Sequence, residues 1–110
     1  MKVKTQQGLE NLDTDENVQL TNDIYITDSF TTIKEFNGCL DGNGHTIYDL
    51  TTCFIGILEG ELRNIQFENI NITGDFDGIV RENDGLIKSI QVGESTIECR
   101  EKNIQVGVLN

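Results

Sequence analysis

Gly60–Ile72, reading GELRNIQFENINI, returns 25 residues later as Gly85–Ile97, reading GLIKSIQVGESTI. Gly60 falls on Gly85, Leu62 on Ile87, Arg63 on Lys88 and Ile65 on Ile90. Gln66, Phe67 and Ile72 fall on Gln91, Val92 and Ile97. Self-similarity at a period in the twenties is the signature of a stacked repeat. Within the unit, apolar and polar residues alternate around Ile65–Gln66–Phe67, which is the period of a strand. One such strand buries too little apolar surface to be stable alone, whereas stacked copies share a continuous core. The repeat therefore predicts a solenoid of strands.

Working outward, 110 residues leave room for one domain, residues 1–110. Residues 1–17 read as an N-terminal cap and 18–110 as coils. Gln6–Asn17 carries the only helical pattern, with Leu9 and Leu12 placed to cover an open end of the core. Val18–Ile26 reads as a first strand with Leu20, Ile24 and Ile26 inward, and a further short strand is expected around Thr32 and Ile33. Asp41–Gly42–Asn43–Gly44 supplies residues that turn a corner at little steric cost. Ile47 and Leu50 lie 15 residues before Leu62 and Ile65, which suggests a preceding rung beneath the repeat. That alignment puts Tyr48, Arg63 and Lys88 in one outward column and Asp49, Asn64 and Ser89 in another. The expected inward set is Ile47, Leu50, Leu62, Ile65, Phe67, Ile70, Ile72, Ile87, Ile90, Val92 and Ile97, each contributing roughly 2 kcal/mol when buried. Cys39, Cys53 and Cys99 lack the close pairing of a zinc or redox motif and read as free thiols in core positions. Asn103–Leu109 reads as an end strand whose open edge invites a homodimer.

Several segments carry a family resemblance. Leu20–Ile24, Phe36–Gly38, and Leu40–Ile47 with Leu50 resemble the opening segment of GLUG-motif repeat proteins. Gly56–Ile57–Leu58, Gly78–Ile79–Val80 and Gly107–Val108–Leu109 are similar to the glycine–hydrophobic openings of the repeats themselves. The resemblance implies a right-handed parallel β-helix of the kind found in large secreted or surface-attached proteins. The fold expected is thus all-β, a small single-stranded right-handed parallel β-helix with a short N-terminal capping segment.

Charge narrows the function. Nineteen acidic residues against eight basic ones give a net charge of −11. Direct binding to a nucleic-acid backbone needs Lys and Arg to displace counterions, so this balance opposes it. It favours instead a basic partner surface. Asp75, Asp77, Glu82 and Asp84 fall in one ten-residue connection between the repeat units, and the offset of 25 lays Asp84 over Glu59. These five are the expected partner-binding residues. The N-terminus has no apolar signal region and no stretch approaches a membrane span, so a cytoplasmic protein is expected, of a host cell if virus-encoded, and a secreted or cell-surface one if the sequence is an excised domain.

Chemistry is harder to assemble. Lys88, with Arg63 a rung below and Glu59 or Glu61 nearby, is the one candidate base for polysaccharide cleavage, and solvated charge explains the same residues. His45 is the single histidine and sits in a Gly–Asn–Gly–His corner. Asp13–Asp15 and Asp75–Asp77 offer paired carboxylates but do not continue into a calcium loop. No catalytic residues, metal or cofactor are assigned. The reading is a non-catalytic acidic protein that blocks a basic site on a DNA- or RNA-handling protein, as a nucleic-acid mimic of viral or mobile-element origin. The alternatives are a carbohydrate-binding or adhesive module of a surface or phage-tail protein, and a lyase- or hydrolase-like β-helix.

Overall fold

The computed structural model describes residues 1–27, 29–73, 79–93 and 96–98. In chain order these form β1 (Lys2–Val3), the helix α1 (Gln6–Glu10), β2 (Asn17–Leu20), β3 (Ile24–Tyr25), β4 (Ile33–Phe36) and β5 (Cys39–Asp41). There follow β6 (Thr46–Tyr48), β7 (Ile55–Leu58), β8 (Glu61–Glu68), β9 (Asn71–Thr73), β10 (Val80–Asn83), β11 (Leu86–Gly93) and β12 (Thr96–Glu98). Every pairing between them is parallel, and the strands stack as a small β-solenoid of about three turns. The all-β repeat fold expected from the sequence is the fold observed.

Three stacks of strands enclose the core. The broad sheet runs β1-β2-β5-β8-β6-β3 with β11 on β8, a second sheet runs β10-β7-β4, and β12 lies on β9. The long strand β8 holds the broad sheet together, since β5 pairs with its first half and β6 with its second. β11 follows β8 residue for residue at the offset of 25, with Ile87 on Leu62, Lys88 on Arg63, Ile90 on Ile65 and Val92 on Phe67.

The rung beneath does not sit where a spacing of 15 puts it. Leu40 pairs with Leu62 and Asp41 with Arg63, while Ile47 pairs with Phe67 and Tyr48 with Glu68. The outward columns are therefore Gln19–Asp41–Arg63–Lys88 and Tyr25–Tyr48–Glu68–Gly93, not one of Tyr48 with Arg63. Asp49 stands beside Asn69, to whose preceding carbonyl (Glu68) its N–H donates at 3.1 Å, instead of beneath Asn64. The reason is perimeter: a turn must traverse three sides before closing, and 15 residues are too few. Likewise Val18–Ile26 is two strands, β2 and β3, with a corner between them, although Leu20, Ile24 and Ile26 are buried as expected.

The core holds most of the predicted residues. Ile47, Leu50, Leu62, Ile65, Phe67, Ile70, Ile72 and Ile90 are buried, and Ile87 and Val92 pack partly buried against them. The sequence pattern missed an aromatic contribution, in which Phe54 stacks on Phe30 at 5.6 Å between ring centres and meets Phe67 edge-on at 5.5 Å. At the N-terminal end α1 buries Leu9, with Leu12 packed partly buried, and the Thr5 hydroxyl caps the helix by accepting from the Gly8 N–H. Cys53 is buried with its Sγ donating to the Ile55 carbonyl at 3.1 Å, whereas Cys39 is a free thiol only half-buried on the outer face of β5. Cys99, the side chain of Ile97, and the expected C-terminal edge at Asn103–Leu109 lie outside what is described.

The corners are made in two ways. At one, Gly38, Gly60 and Gly85 stack on successive rungs above Glu16. A Cβ on any of them would collide with the carbonyl oxygen of the rung below. At the others the chain turns through residues with positive φ. Asn64 (54°) and Ser89 (58°) stack in the middle of β8 and β11, and Asp49 (68°) lies beside Asn69 (52°). Side-chain amides tie these rungs together, Asn64 Nδ2 donating to Asp41 Oδ1 at 3.3 Å and Asn69 Nδ2 to Asp49 Oδ1 at 2.7 Å.

Candidate functional site

The glycine column fixes the position of the acids beside it. The Asn37 N–H donates to the Thr14 carbonyl, the Glu59 N–H to the Phe36 carbonyl and the Asp84 N–H to the Leu58 carbonyl. This repeated bond stacks Asn37, Glu59 and Asp84 on successive rungs above the acidic turn Thr14–Asp15–Glu16. Adjacent rungs are about 4.8 Å apart along the axis. In the neighbouring column, on the second sheet, Glu35 and Glu82 pair in register with Ile57 from either side. Glu35, Glu59, Glu82 and Asp84 are all exposed. Three of the five predicted residues (Glu59, Glu82, Asp84) therefore share one corner, and Glu35 joins them. Asp75 and Asp77 lie outside the described residues.

Glu35 was not anticipated, because it belongs to a rung that the 25-residue repeat does not reach. Its signal was the offset of 22 that carries Ile33 onto Ile55. Next to these acids, on the same sheet, Lys34 and Arg81 flank Gly56 in a groove of about 510 Å³ that Thr32, Cys53 and Ile57 also line. Each of these cations adjoins one of the glutamates in the chain, so the second sheet carries both signs and the acids dominate only at its edge.

Of the residues weighed for chemistry, Arg63, Glu61 and His45 are engaged in pairs with neighbouring rungs or side chains. Arg63 donates from Nη1 to Glu61 Oε2 at 3.1 Å, and its Nε lies 3.5 Å from Asp41 Oδ2. Lys88 stands over this ion-paired group, one rung up. Burial pushes the Cys39 thiol above its ordinary value, so this half-buried sulfur is held in its protonated, weakly nucleophilic form. The His45 N–H closes its turn on the Gly42 carbonyl, and its ring Nδ1 is hydrogen-bonded to Asp23 Oδ1 at 3.1 Å. The Thr46 N–H donates to the same carboxylate oxygen at 3.0 Å. That backbone bond, opposed in part by desolvation and aided by His45, lowers the Asp23 pKa below its usual range. The His–Asp pair thus ties the first rung to the second. Among the described residues no three His, Cys, Asp or Glu side chains converge as a metal site, and no helix is long and apolar enough to cross a membrane.

A second outward face lies on the second half of the broad sheet. Tyr25 and Tyr48 stack with ring centres 4.3 Å apart and planes within 6°. Removal from water, and the neighbouring Tyr25, raise the Tyr48 phenol above its usual value. Beside the rings, Thr46, Gln66 and Gln91 form a polar column, with Thr46 Oγ1 donating to Gln66 Oε1 at 3.3 Å.

Fold and surface together define a small parallel β-solenoid with one acidic corner and one polar–aromatic face. No protein-family model matches the chain, and no curated protein or solved structure matches it.

Proposed function

We propose that this solenoid is a non-catalytic binding protein whose acidic corner docks against a basic site on another macromolecule. The observation that supports this is the stacking of Glu59 and Asp84 on successive rungs, with Glu35 and Glu82 in the adjoining column. Folding does not need like charges side by side. Glu59 and Asp84 stand about one rung apart, which is shorter than the screening length of about 8 Å at physiological salt, so their fields add. One or two charges per rung of about 4.8 Å approach the density of a DNA strand, one charge per about 3.4 Å. The best-fitting partner is therefore a groove that ordinarily receives a nucleic-acid backbone, with carboxylates taking the place of phosphates. The strongly negative chain makes the protein a competitor of nucleic acid and not a ligand for it.

A displacement assay tests this. A fluorescent duplex bound to a basic, sequence-nonspecific DNA-binding domain is titrated with the protein at several salt concentrations. Displacement that weakens steeply with salt is expected, and Glu59→Gln, Glu82→Gln and Asp84→Asn together should reduce both the potency and the salt slope. Displacement unaltered by the three substitutions rejects the proposal.

A further inference from the structure

The face around the stacked tyrosines is distinct from the acidic corner, separated from it along each rung by the first half of the broad sheet. Alternation along β3 and β6 turns Ile24 and Ile47 into the core and leaves Tyr25 and Tyr48 outward, in register. Tyr25 is 59% exposed, one of three large apolar side chains so exposed among the described residues. It ends its column, because the broad sheet stops at β3, while β1 continues only beneath β2. One ring face is stacked on Tyr48, and among the described residues no ring stacks on the other. Along the same face Gln66 and Gln91 lie in register above Thr46. The Gln66 amide oxygen accepts from Thr46, and its NH₂ group makes no bond among the described residues. Glu68, exposed above Tyr48, adds an acceptor, and Gly93 closes the column without a side chain.

An exposed aromatic face beside amide and carboxylate groups matches the surface of a sugar. The electron-rich ring attracts the polarised C–H groups of a pyranose face, and amides and carboxylates take its hydroxyls. Four strands at about 4.8 Å spacing give a track of about 14 Å, long enough for a short run of sugar units. Charge selects among glycans. No Lys or Arg lies in either column of this face, and the chain carries −11, so uronate or sulfated polymers are repelled. We infer that the Tyr25–Tyr48 face is a binding site for a neutral glycan, with Tyr25 as the stacking platform and Gln66, Gln91 and Glu68 as hydroxyl partners.

The chain contains two tyrosines and no tryptophan, and both tyrosines stand in this pair. Intrinsic tyrosine emission therefore reports directly on the site. The full chain is titrated with soluble neutral glycans (hydroxyethyl cellulose, dextran and galactomannan) and with polygalacturonate. A saturable emission change with at least one neutral polymer, and none with polygalacturonate, is expected. Amide shifts mapped by NMR on the unaltered protein should cluster at residues 24–25, 46–48, 66–68 and 91, and not at Glu59, Glu82 or Asp84. Tyr25→Ala should weaken binding about tenfold or more, as read by retardation in glycan-containing gels. Gln66→Ala with Gln91→Ala serves as the second variant, since it leaves the ring stack in place. Neutralising Glu59, Glu82 and Asp84 should leave glycan binding unchanged, so the site stands or falls separately from the acidic corner. The inference is overturned if no neutral polymer alters the emission, if polygalacturonate binds equally well, or if the shifts map elsewhere. It is overturned too if the face proves to join two copies, seen as a sedimentation change in Tyr25→Ala with no response to sugar.

Discussion

The glycine corner and the asparagine corners turn the same solenoid by different physics. At Gly38, Gly60 and Gly85 the difficulty is distance, because the backbone of one rung lies against the carbonyl oxygen below with no space for a Cβ. At Asn64, Asn69, Asp49 and Ser89 the difficulty is angle. These residues hold positive φ, which costs an ordinary L-residue about 1–2 kcal/mol, and Asn64 and Asn69 offset part of it by bonding an aspartate of the neighbouring rung. The first kind of corner admits one residue type, whereas the second admits several. Exposed charge gathers at the first kind because residues just before the glycines, Glu59 and Asp84 among them, are directed outward.

The largest test of this contrast is Gly60→Ala. A methyl at this position must push two rungs apart, since the obstacle is backbone and not the end of a flexible side chain. A loss of about 3 kcal/mol or more is expected, read as a lower urea midpoint or as failure to fold. If Gly60→Ala were as stable as the parent, the corner would not be set by close approach. Next in size is Asn64. Asn64→Ala keeps the strained angle and removes the bond to Asp41, for an expected loss of about 1–2 kcal/mol. Asn64→Gly relieves the angle and should stay within about 1 kcal/mol of the parent. Equal losses in the two variants would show that the angle carries no strain.

The sequence made one of these corners legible and disguised the other. Gly60 and Gly85 open both copies of the repeat, and the 25-residue register between β8 and β11 could be read directly, because both copies alternate alike. The rung beneath was misread because alternation has a period of two and cannot by itself fix the length of a turn. The offset is 22 at Leu40–Leu62 but 20 at Ile47–Phe67, since the Gly42–His45 corner carries two residues more than its counterpart in β8. On the second sheet Lys34 and Glu35 are both exposed between buried Ile33 and Phe36, so β4 shows no clean alternation. Glu35 was missed for that reason. Phe54 lies outside any strand and gave no periodic signal, although it is central to the core. Tyr25 and Tyr48 did carry a signal, the Ile–Tyr pair recurring at an offset of 23, but a single recurrence is weak without the register that stacks the rings.

Between the two kinds of corner lies the Asp23 tie, a side chain from one rung bonded to backbone and ring of the next. The pKa of Asp23 is lowered in the folded protein, so the fold favours its ionised form. The stabilisation is present above the ordinary value of about 3.9 and is lost as pH falls through the lower folded value. Asp23→Asn retains an acceptor for the Thr46 N–H but not the charge. Because the group is largely solvated, the loss at neutral pH should be under about 1 kcal/mol. Thermal melts of parent and variant should converge once the pH is below the carboxylate range. A gap that widened in acid would mean that the tie does not depend on ionised Asp23.

The smallest effect on stability is expected at the acidic corner itself, and its sign is informative. Glu59, Glu82 and Asp84 accept no side-chain bond or ion pair among the described residues, and they stand within a screening length of like charge. Replacing them with Gln, Gln and Asn removes repulsion and breaks no ion pair among the described residues, so the melting temperature should rise by about 1–3 °C, with the larger rise at low salt. The glycine column beside them is untouched by the change, and the corner keeps its geometry. A fall in stability would give these acids a structural role and would leave no reason to invoke a partner. A rise that vanishes in high salt would mean that the fold tolerates a charge arrangement it does not need, which is what a surface retained for recognition would look like.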